Sequence, residues 1–504
     1  TAEKYQKNGF TGERKNVPPN PNLWYLQNGD ENLQFNGSAG IPDEYTRNSY
    51  LGRIFYSYDN KYLLTATFRA DGSSVFPIQN QWGYFPSISA GWLINREDFM
   101  EKQDLFQTLK LRAGWGRVGN SNIPSDASSL TLLANQPYFF GSTVTSGSFV
   151  PQIKDPNIKW ESSDETDIGL DFGLLKNKLT GTIDVYDKKT NNALILVRVP
   201  ATFGSQPNSN SSITPGYVLT NAAEIENKGL EFSINWAEKI NDKISYHIGA
   251  NVTFNKNNVI GLNGGAPYFD GDINGYFTTE TTNGHPIGSF FVRKMIGVFQ
   301  NQAEIDAYTD PKTGKELQPD AQPGDLKYQF TNGVIDTTFA GAYQPVAYFG
   351  INGGINYGNF DFSIDLYGNV GNKVYNGKKQ NRTVFTDNIE EATATKRWTN
   401  TNPSQTEPRA NGGNLPASTY FVESGDFLRI NNMVLGYNFP TKLLGSQKVV
   451  SSLRIYLSAQ NPLTLKKYSG FTPELPGSSP TNAGIELGTY PSVKTYTFGI
   501  NVGF

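Results

Sequence analysis

A strict two-residue alternation of apolar and polar side chains runs the length of this chain, and no other feature of the sequence narrows its fold as far. At the C-terminus Tyr496, Phe498, Ile500, Val502 and Phe504 alternate with Thr495, Thr497, Gly499, Asn501 and Gly503. Successive side chains of a strand point to opposite faces, so this segment has one apolar and one polar face. The same rule sets Tyr62, Leu64, Ala66, Phe68 and Ala70 against Thr65, Thr67, Arg69 and Asp71. Further copies begin at Ile88, Leu109, Ile168, Leu230, Ile244, Phe360 and Leu453. The pattern amounts to about 13 strands of about ten residues, the length at which a tilted strand crosses a bilayer. Strands of soluble sandwiches average about five or six residues. Charges in mid-strand, at Arg69, Asp171 and Glu231, suit a watery lumen better than a second packed sheet. The expected fold class is all-β, a transmembrane antiparallel β-barrel.

Composition agrees and excludes other classes. The 504 residues carry a net charge of −3, and the mean hydropathy is −0.46. No apolar run approaches the roughly 18 residues of a membrane helix. Barrel strands escape that test because only half their residues are apolar. The charge balance gives no sign of a nucleic-acid partner. With no cysteine, thiolate metal sites and disulfides are excluded. Two histidines, His247 and His285, are too few for a His-based metal cluster. No P-loop, His-Glu-x-x-His or Gly-x-Ser-x-Gly motif is present, so no enzymatic activity is expected. Asp164, Glu165 and Asp167 read as solvated lumen or loop carboxylates.

The connections set a direction for every strand. Short turns at Asp59-Asn60, Lys176-Asn177, Asn241-Asp242 and Gly358-Asn359 alternate with long polar stretches. Those stretches run from Gly119 to Lys159, Thr190 to Glu226, Asn255 to Pro286, Gly371 to Gly425 and Asn461 to Pro491. Outer-membrane barrels have short periplasmic turns and long extracellular loops. The last strand then runs inward and the C-terminus is periplasmic. The first strand, near Ser49 to Tyr58, also runs inward. Thr1 to Asn48 is expected to be an extracellular loop segment, and residues 49–504 the barrel wall with its loops. Phe290 to Gln300 fits either an extra strand pair or part of one very long loop. No signal peptide opens the chain, so its N-terminus is expected to be internal to a longer precursor.

Specific segments go further. They include Gly52 to Phe76 (GRIFYSYDNKYLLTATFRADGSSVF), Trp82 to Phe99, Leu109 to Asn122, Trp160 to Asn192 and Asn221 to Phe232 (NAAEIENKGLEF). Pro323 to Tyr328 (PGDLKY), Arg397 to Arg409 (RWTNTNPSQTEPR), Asp426 to Pro440 (DFLRINNMVLGYNFP), Leu453 to Leu475 and Gly488 to Phe504 follow. In number and order these segments make the chain resemble the C-terminal part of the SusC/RagA-type TonB-dependent outer-membrane transporters of Bacteroidota. The resemblance implies a barrel of about 22 strands with a plugged lumen. About 13 of those strands lie here, while the plug and TonB box do not. An open half-barrel would leave edge amides unpaired in hydrocarbon. The chain is therefore expected to pair with an N-terminal half that includes the plug, or to have been trimmed. The resemblance also implies TonB-dependent uptake of glycans or oligopeptides. A SusD-like surface lipoprotein would serve as lid, and the TonB complex would act through the missing N-terminal part. A structural or docking role in a larger outer-membrane complex is the alternative. Relatives often carry an acidic, cation-holding run after the PGD segment; here only Asp325 and Asp336 remain. Ca²⁺ needs six to eight oxygens, so no metal and no cofactor are expected.

The candidate ligand-binding residues are aromatics in the long loops: Tyr138, Phe139, Phe140, Tyr268, Phe269, Tyr276 and Phe277. Rings among Asn, Asp and Gly offer stacking faces and hydrogen bonds, which suit sugars or extended peptides. Val144 to Pro151 reads as a flexible loop. Trp82, Tyr84, Trp92 and Trp115 are assigned to interfacial belts.

Overall fold

The computed structural model describes residues 1–7, 10–13, 36–39, 43–128, 133–150, 153–199, 217–382, 388, 391–410, 415–440, 450–477 and 479–504. Fourteen strands form one antiparallel sheet in unbroken chain order. They are β1 (Ala2–Lys7), β2 (Asp43–Tyr58), β3 (Tyr62–Ser73), β4 (Trp82–Leu93), β5 (Phe106–Asn120), β6 (Glu161–Leu174) and β7 (Leu179–Arg198). The others are β8 (Tyr217–Asn241), β9 (Ile244–Leu262), β10 (Ala347–Tyr357), β11 (Phe360–Val370), β12 (Phe427–Asn438), β13 (Ser452–Lys466) and β14 (Thr495–Gly503). All but β1 are long, which matches the count read from the alternation. Each pairs with its sequence neighbours, and β1 and β14 are the two edges. This up-and-down wall is the C-terminal part of a transmembrane barrel.

Turn chemistry fixes the register at one end. Asp59 and Asn60 both take positive φ, 51° and 48°. Two such residues make the hairpin turn whose twist matches the flanking strands. The resulting register pairs Tyr58 with Tyr62 and Ile54 with Ala66.

The two faces separate as the alternation requires. Ile54 is 69% exposed and Phe498 64% exposed, and Leu64, Ile168, Ile248 and Leu457 on the same face are also exposed. An exposed apolar face of this extent belongs against hydrocarbon. Trp82 and Trp92 lie ten residues apart on this face of β4. At about 3.3 Å per residue and a tilt of about 45°, that is about 23 Å, close to the usual apolar band of about 25 Å. Trp92 stacks with Tyr62 and Trp82 with Tyr50, at ring separations of 6.5 and 6.0 Å.

Three strands are longer than the alternation indicates. β7, β8 and β9 have 20, 25 and 19 residues. Much of Thr190 to Glu226, and Asn255 onward, is therefore strand rather than loop. The reason is packing beyond the bilayer. There Ala193, Ile195, Ala222, Ala223, Val259 and Ile287 form a buried cluster, so both faces carry apolar residues and the alternation fades. Similarly, Thr1 to Asn48 contains paired strands: Ala2–Lys7 continues the sheet against β2, and Phe10–Glu13 pairs with Asn36–Ala39. Thr143–Phe149, which covers most of the Val144 to Pro151 stretch read as flexible loop, pairs with Leu133–Phe140.

Phe290 to Gln300 adds nothing to the wall, because β9 pairs directly with β10. It belongs to a loop body at the end of the long connections. There Tyr268–Asp270, Thr279–Thr281, Ser289–Arg293 and Thr337–Phe339 make a small sheet. Phe290, Val292, Tyr328, Tyr375, Trp398 and Phe421 are its core, drawn from residues far apart in the chain. Backbone bonds from Tyr375 to Gly484 and from Glu486 to Tyr375 tie in a further connection.

Candidate functional site

Two surfaces can meet a ligand: the polar wall of the lumen and the loop body over it. On the wall, the register places Arg112 of β5 opposite Gly169 of β6, and Gly169 opposite Asp184 of β7. A Cβ at Gly169 would lie 2.1 Å from Asp184 Oδ1, so only glycine leaves room for the contact across it. Arg112 Nη2 donates to Asp171 Oδ1 at 2.8 Å and to Asp184 Oδ1 at 2.7 Å, and Asp167 lies 3.6 Å away. Arg112, Asp167 and Asp184, with Glu165, Glu231, Lys188 and Tyr348, border a cavity of about 760 Å³. The carboxylate run Asp164-Glu165-Asp167 is thereby split. Glu165 and Asp167 border this cavity, while Asp164 pairs with Arg117 at 2.7 Å. An amide lattice borders the acidic patch. Asn257 donates to Asn227 at 2.9 Å, Asn255 donates to Asn227 at 3.2 Å, and Tyr186 Oη donates to Asn255 at 3.0 Å. His247 lies over Gly354, whose Cβ would sit 2.3 Å from its Cε1.

In the loop body the candidate aromatics part company. Phe269 and Phe277 come together at 6.3 Å and gather Phe291, Phe339 and His285. The imidazole of His285 stacks on Phe339 at 3.6 Å. Phe269 is 44% exposed, so the cluster keeps an open face. The sequence reading missed Phe291, Phe339 and His285. Its available signal was period two in Ser289–Arg293, where Phe290 and Val292 go to the core and Phe291 to the other face. Tyr268 is engaged within the loop body. It donates to the Asn263 carbonyl at 2.7 Å, and burial pushes its hydroxyl pKa up. Tyr276 packs against the core, with Arg293 over its ring at 5.8 Å. Tyr138, Phe139 and Phe140 stand apart on their hairpin, 61 to 68% exposed.

The PGD segment is a brace. Gly324 has φ +92°, and a Cβ there would lie 2.4 Å from the Trp398 ring. Arg409 Nε donates to Asp325 Oδ1 at 2.7 Å, and Asp325 Oδ2 accepts from Gln322 N–H at 2.8 Å. Asp336 accepts from Thr331 at 2.8 Å. The two carboxylates considered for a cation are thus engaged in bonds within the protein. Among the described residues no group of three or more metal-ligating side chains occurs. Elsewhere in the body Tyr420 donates to Glu407 at 2.5 Å; burial and then that carboxylate push its pKa far up.

Comparison with known proteins places this geometry. Residues 4–461 match the family described as TonB dependent receptor-like, beta-barrel. The TonB-dependent receptor P26 of Formosa agariphila is 33% identical over 90% of this chain and 46% of its own length. The TonB-dependent receptor SusC of Bacteroides thetaiotaomicron is 32% identical over 91% of this chain and 44% of its own. The chain spans about half the length of the curated relatives it matches. The RagAB peptide transporter has the same fold, with TM-score 0.76 and 22% identity over all of this chain and 52% of that one.

Proposed function

Because the chain belongs to the TonB dependent receptor-like β-barrel family, we propose that it forms the wall and loop body of an outer-membrane importer for oligosaccharides or oligopeptides. The observation that carries this reading is that two surfaces adjoin. An open aromatic cluster, Phe269, Phe277, Phe291, Phe339 and His285, sits in the loop body, and the His285 carbonyl accepts from Val259 N–H of β9, two residues beyond Asn257 of the amide lattice. Rings hold a sugar or an apolar peptide side chain; amides hydrogen-bond hydroxyls or backbone. In this reading the long connections are extracellular and the C-terminus is periplasmic. An N-terminal half, as in relatives about twice as long, supplies the remaining strands, the plug and the contact with TonB. The Tyr138-Phe139-Phe140 hairpin is the contact for a SusD-like lipoprotein lid. Transport is conformational gating and needs no bond chemistry.

The test is uptake by cells carrying the intact protein. Phe269→Ala with Phe339→Ala should lower affinity for the imported oligomer by about tenfold, since each stacked ring contributes about 0.5–1.5 kcal/mol. Uptake should also cease when the membrane is de-energised. Energy-independent uptake, or none of any oligomer, would instead support a docking role in a larger complex.

A further inference from the structure

One sector of the lumen wall carries positive charge that the other described residues leave unanswered. Arg47 and Arg53 of β2 and Arg69 of β3 share the polar face with Asp71. Arg69 Nε donates to Asp71 Oδ2 at 2.6 Å, and Arg117 is held by Asp164. Arg47 and Arg53 have no such partner among the described residues. Arg53 Nε donates only to Thr67 Oγ1, at 3.1 Å. Arg47 Nε is buried without an acceptor, and its guanidinium lies over the Tyr45 ring at 4.7 Å. Glu3 stands opposite Arg47 in the register, yet no ion pair joins them. All four arginines line one cavity of about 400 Å³, with Phe85 and Trp160 at its side.

An unpaired guanidinium on a concave wall is a fork that fits a carboxylate with two parallel hydrogen bonds. The low-dielectric walls concentrate its field on the lumen. Arg47 and Arg53 lie six residues apart on one strand, about 20 Å along it. An extended oligomer of several units spans that distance. We propose that Arg47 and Arg53 form a carboxylate-binding subsite of the lumen, taking the acidic groups of the imported oligomer. This rests on the import reading above and narrows its substrate to an anionic one.

Calorimetry on the intact protein tests it, with tetragalacturonate and hexaglutamate as acidic probes and maltotetraose and hexaglutamine as uncharged controls. One acidic probe should bind more tightly than its control, and more weakly at about 500 mM than at about 50 mM salt. Which one binds tells whether a glycan or a peptide carries the carboxylate. Arg47→Gln with Arg53→Gln should weaken that binding about tenfold or more and leave the control unchanged. Arg47→Lys with Arg53→Lys, which keeps the charge without the fork, should fall between. Acidic probes that bind no better than controls overturn the proposal. So does a Gln variant that keeps full affinity but melts lower, because the arginines then serve an internal carboxylate of the protein. Cells that import uncharged oligomers while neither acidic probe binds would sink this inference alone. Cells that import nothing would sink the import reading with it.

Discussion

At the scale of single residues, the sequence reading found the right motifs but could not assign their work. PGDLKY and RWTNTNPSQTEPR are separated by 68 residues from Tyr328 to Arg397, yet Gly324 packs on Trp398 and Asp325 pairs with Arg409. Gly324→Ala should destabilise the loop body by about 2 kcal/mol or more, from a left-handed backbone and an overlap with the Trp398 ring. Loss of amide protection in Ser289–Arg293 by hydrogen exchange would measure it; unchanged protection would refute the brace. A second residue prediction concerns pH. Glu97, in the short connection after β4, accepts from Trp92 Nε1 at 2.8 Å and Tyr62 Oη at 2.7 Å. These two donors, Trp92 foremost, hold its carboxyl below the ordinary value. A depressed carboxyl pKa stabilises the fold above the unfolded value of about 4.3 and loses that contribution as pH falls through the native pKa. Glu97→Gln should therefore flatten the acid side of the stability profile below about pH 4, read from the fluorescence of unfolding, and leave pH 7 to 8 little changed in slope.

At the scale of elements, legibility followed the bilayer. Where a strand has lipid on one side and water on the other, polarity must alternate, and the chain could be read residue by residue. Above that zone β7, β8 and β9 continue with apolar residues on both faces, so the signal vanished although the strands did not. Gly499 illustrates what register adds: the Tyr456 ring lies across it, and a Cβ there would meet that ring at 2.2 Å. The alternation in β14 makes a direct prediction. Ile500→Arg puts a charge on the hydrocarbon face and should destabilise the barrel by about 2–4 kcal/mol. Asn501→Arg, one residue on, faces the lumen and should be tolerated. Denaturant unfolding in lipid vesicles separates them; equal effects would mean the faces are misassigned.

At the scale of the molecule, wall and loop body are two cores with different solvents. The wall is stabilised by its ladder and by lipid; the loop body by a buried cluster that water alone would drive together. They should therefore unfold separately. Arg409→Ala leaves Asp325 partly buried without its partner, which costs about 1–2 kcal/mol after allowance for solvent. Exchange should quicken in Leu326–Tyr328 and Ser289–Arg293, while β3 and the heat-dependent gel mobility of the barrel stay as before. A concerted change in both would show one cooperative unit. By itself the sequence determined the all-β class, the thirteen long strands, their two faces and the family, because each rests on local alternation, turn residues and ordered motifs. Only the tertiary structure decided that distant loops co-fold into one body, which aromatics remain open, and which arginines go unpaired. Those facts depend on side chains far apart in the chain meeting in space, and no local period records such meetings.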